Sequence, residues 1–143
     1  MKQVHNIRIR VHNPSRETVD AVLARVASMA RKTEDEPITT TITEEDGLVI
    51  GEAWLDRQQP VRRFLKALLE TMTPADKQRI HDNPTRYLDT GTHCFFHLSL
   101  DSFVAKEPVL IDKPIKTVNI RLNIACWPAH KENAIKTMQE LFV

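Results

Sequence analysis

Three segments of the chain alternate apolar and polar residues with a period of two, and this pattern limits the possible folds more than any other feature. They cover residues 4–12, 93–100 and 117–127. Successive side chains of an extended strand point to opposite faces of a sheet, so each segment is predicted to be a strand with one apolar and one polar face. The apolar faces need a covering layer, whereas the polar faces can remain in water.

Amphipathic helices are predicted between and after these strands, because apolar residues recur there at the spacing of one helix face. Proline marks the starts, since it is favoured in the first helical turn. The four helices begin near Asn13-Pro14-Ser15, Pro60, Thr73-Pro74 and Pro128. A helical turn is predicted over residues 101–107 and a short strand over 109–111.

A β-hairpin is predicted from Ile38–Thr43 and Leu48–Leu55, because Asp46-Gly47 between them supplies the positive φ angles that tight hairpin turns require. Together with the three one-sided strands and the helices, it indicates an α+β fold. The expected architecture is a two-layer sandwich in which a mostly antiparallel sheet carries helices on one face. The other face of the sheet is expected to be open.

The length and composition fit one folded domain over residues 1–143, with no linker, low-complexity tract or solenoid repeat. Hydrophobic residues make up 41% and charged residues 27% of the chain, which excludes a disordered polyelectrolyte. No apolar run is long enough to cross a bilayer and the start lacks a secretory signal, so we expect a cytoplasmic protein with no membrane partner. Cys94 and Cys126 lie in apolar contexts and are expected to be reduced.

The net charge of +1 conceals an uneven distribution. Residues 33–56 contain eight acidic residues and no lysine or arginine. The rest of the chain holds all 20 lysines and arginines against 11 acidic residues, a net charge of +9. A polyanion is therefore expected to be repelled by one edge of the molecule and attracted by the remainder.

The polar faces of the three alternating strands provide the main candidate site. If they lie together, the open side of the sheet presents arginine, asparagine, histidine and one aromatic residue. Arginine binds phosphate, asparagine reads base edges or 2′-hydroxyls, and phenylalanine offers a stacking surface, as in sheet-based RNA binders. The candidates are Arg8, Arg10, Phe95, Asn119, Arg121 and Asn123, with Asn6, His93 and His97 beside them. The alternative is that these polar residues only solvate the sheet, with Phe95 in a dimer interface or under a loop.

Two further basic clusters lie on predicted helices. Arg62, Arg63 and Lys66 are placed on the outer face of the second helix, where the ordinary alternative is a solvated surface. His130 and Lys131 follow Pro128 at a helix start, where free backbone N–H groups and the helix dipole favour phosphate. The alternative there is an ordinary capped helix end.

No pattern indicates catalysis, a metal or a cofactor. His93 and His97 on one strand would stand roughly 13 Å apart, with Cys94 on the opposite face, so the three are not expected to share a zinc ion. With only Gly47, Gly51 and Gly91, the chain has no phosphate-binding loop or dinucleotide fingerprint. Both cysteines occupy inward strand positions, which disfavours a nucleophilic thiolate.

Four blocks, HNIRIRV, PVRRFLKALLE, FFHLSLDSFV and above all WPAHKENAIKTMQEL, resemble the archaeal family of RNA-binding, exosome-associated proteins. The resemblance runs from about His5 to Leu141. It implies a fold like that of the large-subunit ribosomal protein that holds 5S rRNA, together with RNA binding and a link to the exosome. It implies no catalytic residues.

We therefore expect a non-catalytic RNA-binding protein whose partners are RNA and exosome subunits. The main alternative is a protein–protein module or homodimer that uses the open sheet or an edge strand. The third hypothesis, an RNA-processing nuclease, lacks a recognisable set of acid, base and metal ligands.

Overall fold

The computed structural model describes residues 2–113 and 115–143. In these residues the elements follow one another as β1 (Val4–Asn13), α1 (Arg16–Ala30), β2 (Thr39–Glu45), β3 (Leu48–Leu55), α2 (Gln58–Thr71), α3 (Pro74–Asp82), β4 (His93–Ser99), α4 (Leu100–Val104), β5 (Leu110–Ile111), β6 (Thr117–Ile124) and α5 (Lys131–Leu141).

The strands form one six-stranded sheet in the order β2-β3-β1-β6-β4-β5, and every neighbouring pair is antiparallel. The first and last strands of the chain, β1 and β6, therefore lie side by side at its centre. The helices pack on one face of this sheet, which confirms the predicted α+β sandwich. No helix among the described residues is long and apolar enough to span a membrane.

The core fills the space between the sheet and the helices. Alternate strand residues such as Ile9, Phe96 and Ile120 are buried on this face, whereas their neighbours in sequence are not. The ring of Phe96 meets that of Phe142 edge to face, with ring centroids 5.9 Å apart. Burial of each such side chain stabilises the fold by roughly 1.5–3 kcal/mol.

Side-chain caps explain where two helices begin. Ser15 Oγ accepts a hydrogen bond from the Thr18 N–H at 3.2 Å, and Thr73 Oγ1 accepts one from the Asp76 N–H at 3.2 Å. Each satisfies a backbone donor that the first helical turn leaves free. Asp46 and Gly47 both have positive φ at the β2–β3 turn, as the hairpin prediction required.

Several predicted boundaries are wrong by a few residues. The last helix begins at Lys131 rather than at Pro128, because His130 still has an extended backbone and is the N-cap. The peptide bond between Trp127 and Pro128 is cis. Strand β6 ends at Ile124 rather than at Trp127, and Leu100 opens α4 instead of closing β4.

Candidate nucleic-acid interface

The strand register brings the predicted sheet residues onto the face that the helices leave uncovered. Arg8 of β1 lies opposite Trp54 of β3 on one side and opposite Arg121 of β6 on the other. Arg121 in turn lies opposite Phe95 of β4. These four residues, Trp54, Arg8, Arg121 and Phe95, form a line across the strands that we call the aromatic–arginine row.

The two aromatic side chains at the ends of this row are accessible to solvent. Trp54 is 38% exposed and Phe95 40% exposed. The Arg8 guanidinium lies 5.8 Å from the centroid of the Trp54 ring, within the range of a cation–π contact. Trp54 was not among the residues predicted from the sequence, although Val49, Gly51 and Ala53 mark the buried face of β3 and so assign Trp54 to the open one.

Two arginines directly opposite each other in a sheet repel, and here each is held by its own carboxylate. Arg8 Nη2 donates to both carboxylate oxygens of Glu52, at 2.9 and 3.0 Å. On the other side, Arg121 Nη2 lies 3.4 Å from Asp89 Oδ2. The positive charges of the two arginines are therefore neutralised by carboxylates on the outer sides of the pair.

The position of Glu52 corrects the expected separation of charge. Glu52 belongs to the acidic segment, which was predicted to form its own edge away from the arginines. Register instead places Glu52 opposite Arg10 on the open face, with 3.5 Å between Arg10 Nε and Glu52 Oε1. The open face is a surface of ion-paired arginines and not one of free positive charge.

Asp89 organises the β4 end of the row. Although burial alone would raise its pKa, hydrogen bonds from the backbone N–H groups of His93 and Gly91, together with nearby His93 and Arg121, hold the pKa of Asp89 below its usual value. The carboxylate is 3.3 Å from His93 Nδ1. Asp89 lies outside any strand, so no alternating pattern pointed to it in the sequence.

A second polar row lies next to the first, because Arg10 and His97 both pair with Asn119. Asn119 Oδ1 accepts hydrogen bonds from Thr117 Oγ1 at 3.1 Å and from His97 Nδ1. These bonds fix the amide of Asn119. Its NH2 group has no hydrogen-bond partner within residues 2–113 and 115–143, so it can donate to a ligand. Asn123 pairs with Asn6 and with His93 in a third row.

The basic residues of α2 do not join this surface, because α2 belongs to the helical layer. Arg62 and Lys66 are exposed there. Arg63 instead donates to the Ala30 carbonyl at 2.7 Å and forms an ion pair with Glu36. The backbone N–H of Lys32, which donates to Glu36, and the Arg63 guanidinium lower the pKa of Glu36. Arg63 thus connects α2 to the end of α1, whereas the prediction grouped it with two free cations.

The residues that precede α5 form another exposed region. Lys131 and His130 are exposed, and His130 Nε2 lies 3.3 Å from Asn133 Nδ2. Trp127, which was predicted to end a strand and opens the last block of the family resemblance, is 90% exposed. Asn133 Nδ2 also donates to the Pro128 carbonyl at 2.9 Å, which fixes the loop against the helix.

The two cysteines are free thiols that differ in burial. Cys94 is fully buried and free, and burial raises the pKa of its thiol far above the ordinary range. Cys126 is free and only half-buried, less enclosed than the strand pattern predicted. Within residues 2–113 and 115–143, no three His, Cys, Asp or Glu side chains are close enough together to hold a metal ion.

The fold is shared with solved structures of archaeal proteins. A DUF54 protein from Archaeoglobus fulgidus matches with a TM-score of 0.79 at 16% identity, over 99% of both chains. A DUF54 protein from Methanothermobacter thermautotrophicus gives 0.69 at 16% identity over 99% of this chain and 100% of the other, and one from Sulfolobus solfataricus gives 0.68 at 14% identity over 96% of each. No family model and no curated protein sequence matches the chain.

Proposed function

We propose that this protein binds RNA on the open face of its sheet and performs no chemistry on it. The observation that carries the proposal is the aromatic–arginine row, in which register alone aligns two exposed rings and two arginines across four strands. Unpaired bases stack on such rings, and guanidinium groups bind the phosphates between them.

The geometry of the row favours single-stranded RNA over duplex RNA. Neighbouring strands are about 4.8 Å apart, so Trp54 and Phe95, separated by three strand spacings, stand roughly 14 Å apart. Stacked bases of a helix follow one another at about 3.4 Å, and paired bases do not offer their faces to side chains. Two rings at the larger distance therefore suit bases of an unstacked chain, and the NH2 group of Asn119 lies beside it as a hydrogen-bond donor.

The resemblance to RNA-binding, exosome-associated proteins supports RNA as the ligand. The proposed association with exosome subunits depends on that resemblance alone. Binding of purified exosome to the immobilised chain, measured with and without RNA, would test this partner separately.

Titration with a fluorescent oligoribonucleotide at several salt concentrations tests the proposal. Phe95→Ala should weaken binding by about five- to 150-fold, because one stacked base contributes roughly 1–3 kcal/mol. Replacing both Arg8 and Arg121 by Gln should reduce the slope of log K against log salt by about 0.7 for each lost phosphate contact.

Arg16→Gln provides a matched control, because Arg16 is also an ion-paired arginine but lies on α1, next to Asp20 and Glu44. Its affinity and salt slope should equal those of the unchanged protein. RNA binding that is insensitive to the row variants would remove the open face from the proposal.

A second candidate function is self-association, favoured by the exposed strand β2. This strand lies at one end of the sheet, its seven residues contain no lysine or proline, and six of them are exposed. Such an edge can pair with another strand. Thr40 belongs to a pair with Ala53 that is not hydrogen-bonded, so its N–H points to the free edge. Thr40→Pro should abolish a dimer formed through this edge, and Phe95→Glu one formed through the open face. Light scattering measures the mass of each variant and so distinguishes the two interfaces. If the chain binds only RNA, neither substitution should change the measured mass.

A further inference from the structure

We propose that a groove at the end of the sheet is a second contact site for single-stranded RNA, with Trp127 as its stacking surface. The groove has a volume of about 600 Å³ and is lined by residues from the start of β1, the loop after β6 and one side of α5. We call it the end groove. It extends the RNA path beyond the open face and rests on the RNA binding proposed above. Its lining includes Lys2, His5, Trp127, Asn133, Lys136 and Glu140.

The exposure of Trp127 is the first observation. At 90% exposed, this side chain contributes almost nothing to the hydrophobic core, whereas Trp54 is only 38% exposed and contacts Arg8. Large apolar side chains that remain in water are typical of binding surfaces. An indole ring in this setting can stack on any unpaired base, since each base presents an aromatic face.

The charges around the groove are the second observation. Lys2 and Lys136 of the lining have no carboxylate oxygen within 4.0 Å among the described residues, in contrast to the ion-paired arginines of the open face. A phosphate can therefore bind here without displacing an internal partner. Glu140 is the acidic residue in the lining, which also contains two lysines and a histidine.

A third observation extends this basic surface to the helical layer. Lys2 also lines a neighbouring groove of about 230 Å³, which contains Arg62 of α2. Arg62 therefore shares a groove with Lys2, in the helical layer and not on the face that carries the aromatic–arginine row. A nucleic-acid chain in the end groove can thus contact the exposed part of α2. Binding on the open face alone would give the basic residues of α2 no role.

Single-stranded RNA is the occupant because the site combines an unshielded ring with separated positive charges. In duplex RNA the bases are paired and stacked, so they cannot reach Trp127. A partner made of phosphate alone would use the lysines but would leave the tryptophan in water. Duplex RNA and polyphosphate are therefore both included as ligands in the experiment below.

The two tryptophans of the chain allow both sites to be followed in the intact protein. Trp54→Phe leaves Trp127 as the only indole, and Trp127→Phe leaves Trp54. Each variant is titrated with oligouridylate of about twelve nucleotides, within the site sizes of single-strand binders. We expect fluorescence quenching in both. If binding quenches the fluorescence of Trp54 but not that of Trp127, the end groove alone is overturned. If it quenches Trp127 but not Trp54, the open face alone is overturned.

Affinity measurements complete the test. Lys2→Gln combined with Lys136→Gln should weaken oligouridylate binding at least fivefold, while Lys32→Gln combined with Lys77→Gln, a matched loss of two charges elsewhere, should not. Duplex RNA and inorganic polyphosphate should leave the Trp127 fluorescence unchanged. Equal quenching by duplex RNA, or equal effects of the two lysine pairs, would contradict the proposal.

Discussion

Gly51 of β3 lies on the buried face of the sheet, beneath α1. A Cβ atom at this position would come within 2.5 Å of Val19 Cγ1, a distance that real contacts do not reach. Gly51→Ala should therefore lower the free energy of unfolding by about 1–3 kcal/mol, although alanine costs less conformational entropy than glycine. Urea denaturation measures the change. Gly91→Ala is the control, because its nearest contact is at 3.6 Å, and an equal loss there would contradict the steric explanation.

Asp89 should make stability depend on pH at the acid end. Its pKa is lower in the folded protein than the ordinary aspartate value, so its ion pairs and hydrogen bonds stabilise the fold above that ordinary value and are lost as pH falls through the folded pKa. Asp89→Asn cannot titrate. The difference in unfolding free energy between the two proteins should be largest above about pH 5 and shrink below about pH 4. A difference that stays constant down to pH 2 would show that Asp89 has no linked role.

At the level of secondary-structure elements, the neighbours Arg62 and Arg63 of α2 are expected to have opposite roles. Arg63→Gln removes the ion pair with Glu36 and the bond to the Ala30 carbonyl, and should lower the free energy of unfolding by about 1–3 kcal/mol. Arg62→Gln should change stability by less than about 0.5 kcal/mol. Thermal denaturation compares them directly. Equal stabilities would show that the Arg63 contacts contribute nothing.

The elements themselves could be predicted because alternation and helical spacing are local properties of the sequence. The faces of β1, β4 and β6 follow directly from residues such as Ile9, Phe96 and Ile120. The start of α5 could not be predicted in this way, because Pro128 fits a first helical turn equally well by composition. The role of Arg63 was also inaccessible, since its contacts come from a segment 27 to 33 positions away.

For the whole molecule, strand order and register decide what the candidate site is. The pattern assigned Arg8, Arg121 and Phe95 to polar faces, but only the order β3-β1-β6-β4 aligns them with Trp54. The same order introduces Glu52, which composition had assigned to a separate acidic edge. Long-range pairing of this kind leaves no periodic signal, so the neutralisation of the arginines could not be read from the sequence.

Because the arginines of the row are neutralised, the protein should bind RNA in preference to a polyanion that has no bases. A polyphosphate must displace Glu52 and Asp89 to reach Arg8 and Arg121, and it gains no stacking on Trp54 or Phe95 in return. Plain polyphosphate should therefore bind the unchanged open face weakly. Glu52→Gln combined with Asp89→Asn frees the guanidinium groups, so polyphosphate affinity should rise by about tenfold at low salt and fall steeply as salt is added.

Competition between polyphosphate and oligouridylate, monitored through Trp54 in the Trp127→Phe background, measures that preference. Oligouridylate should remain the better ligand of the unchanged protein. Its advantage should narrow in the double variant, because the freed guanidinium groups favour the more densely charged polyphosphate while the stacking contribution of the bases is unchanged. Glu44→Gln combined with Asp20→Asn is the control, since it removes two carboxylates that are ion-paired with Arg16 and take no part in the row. If the control narrows the advantage equally, total charge rather than the two row carboxylates sets the preference.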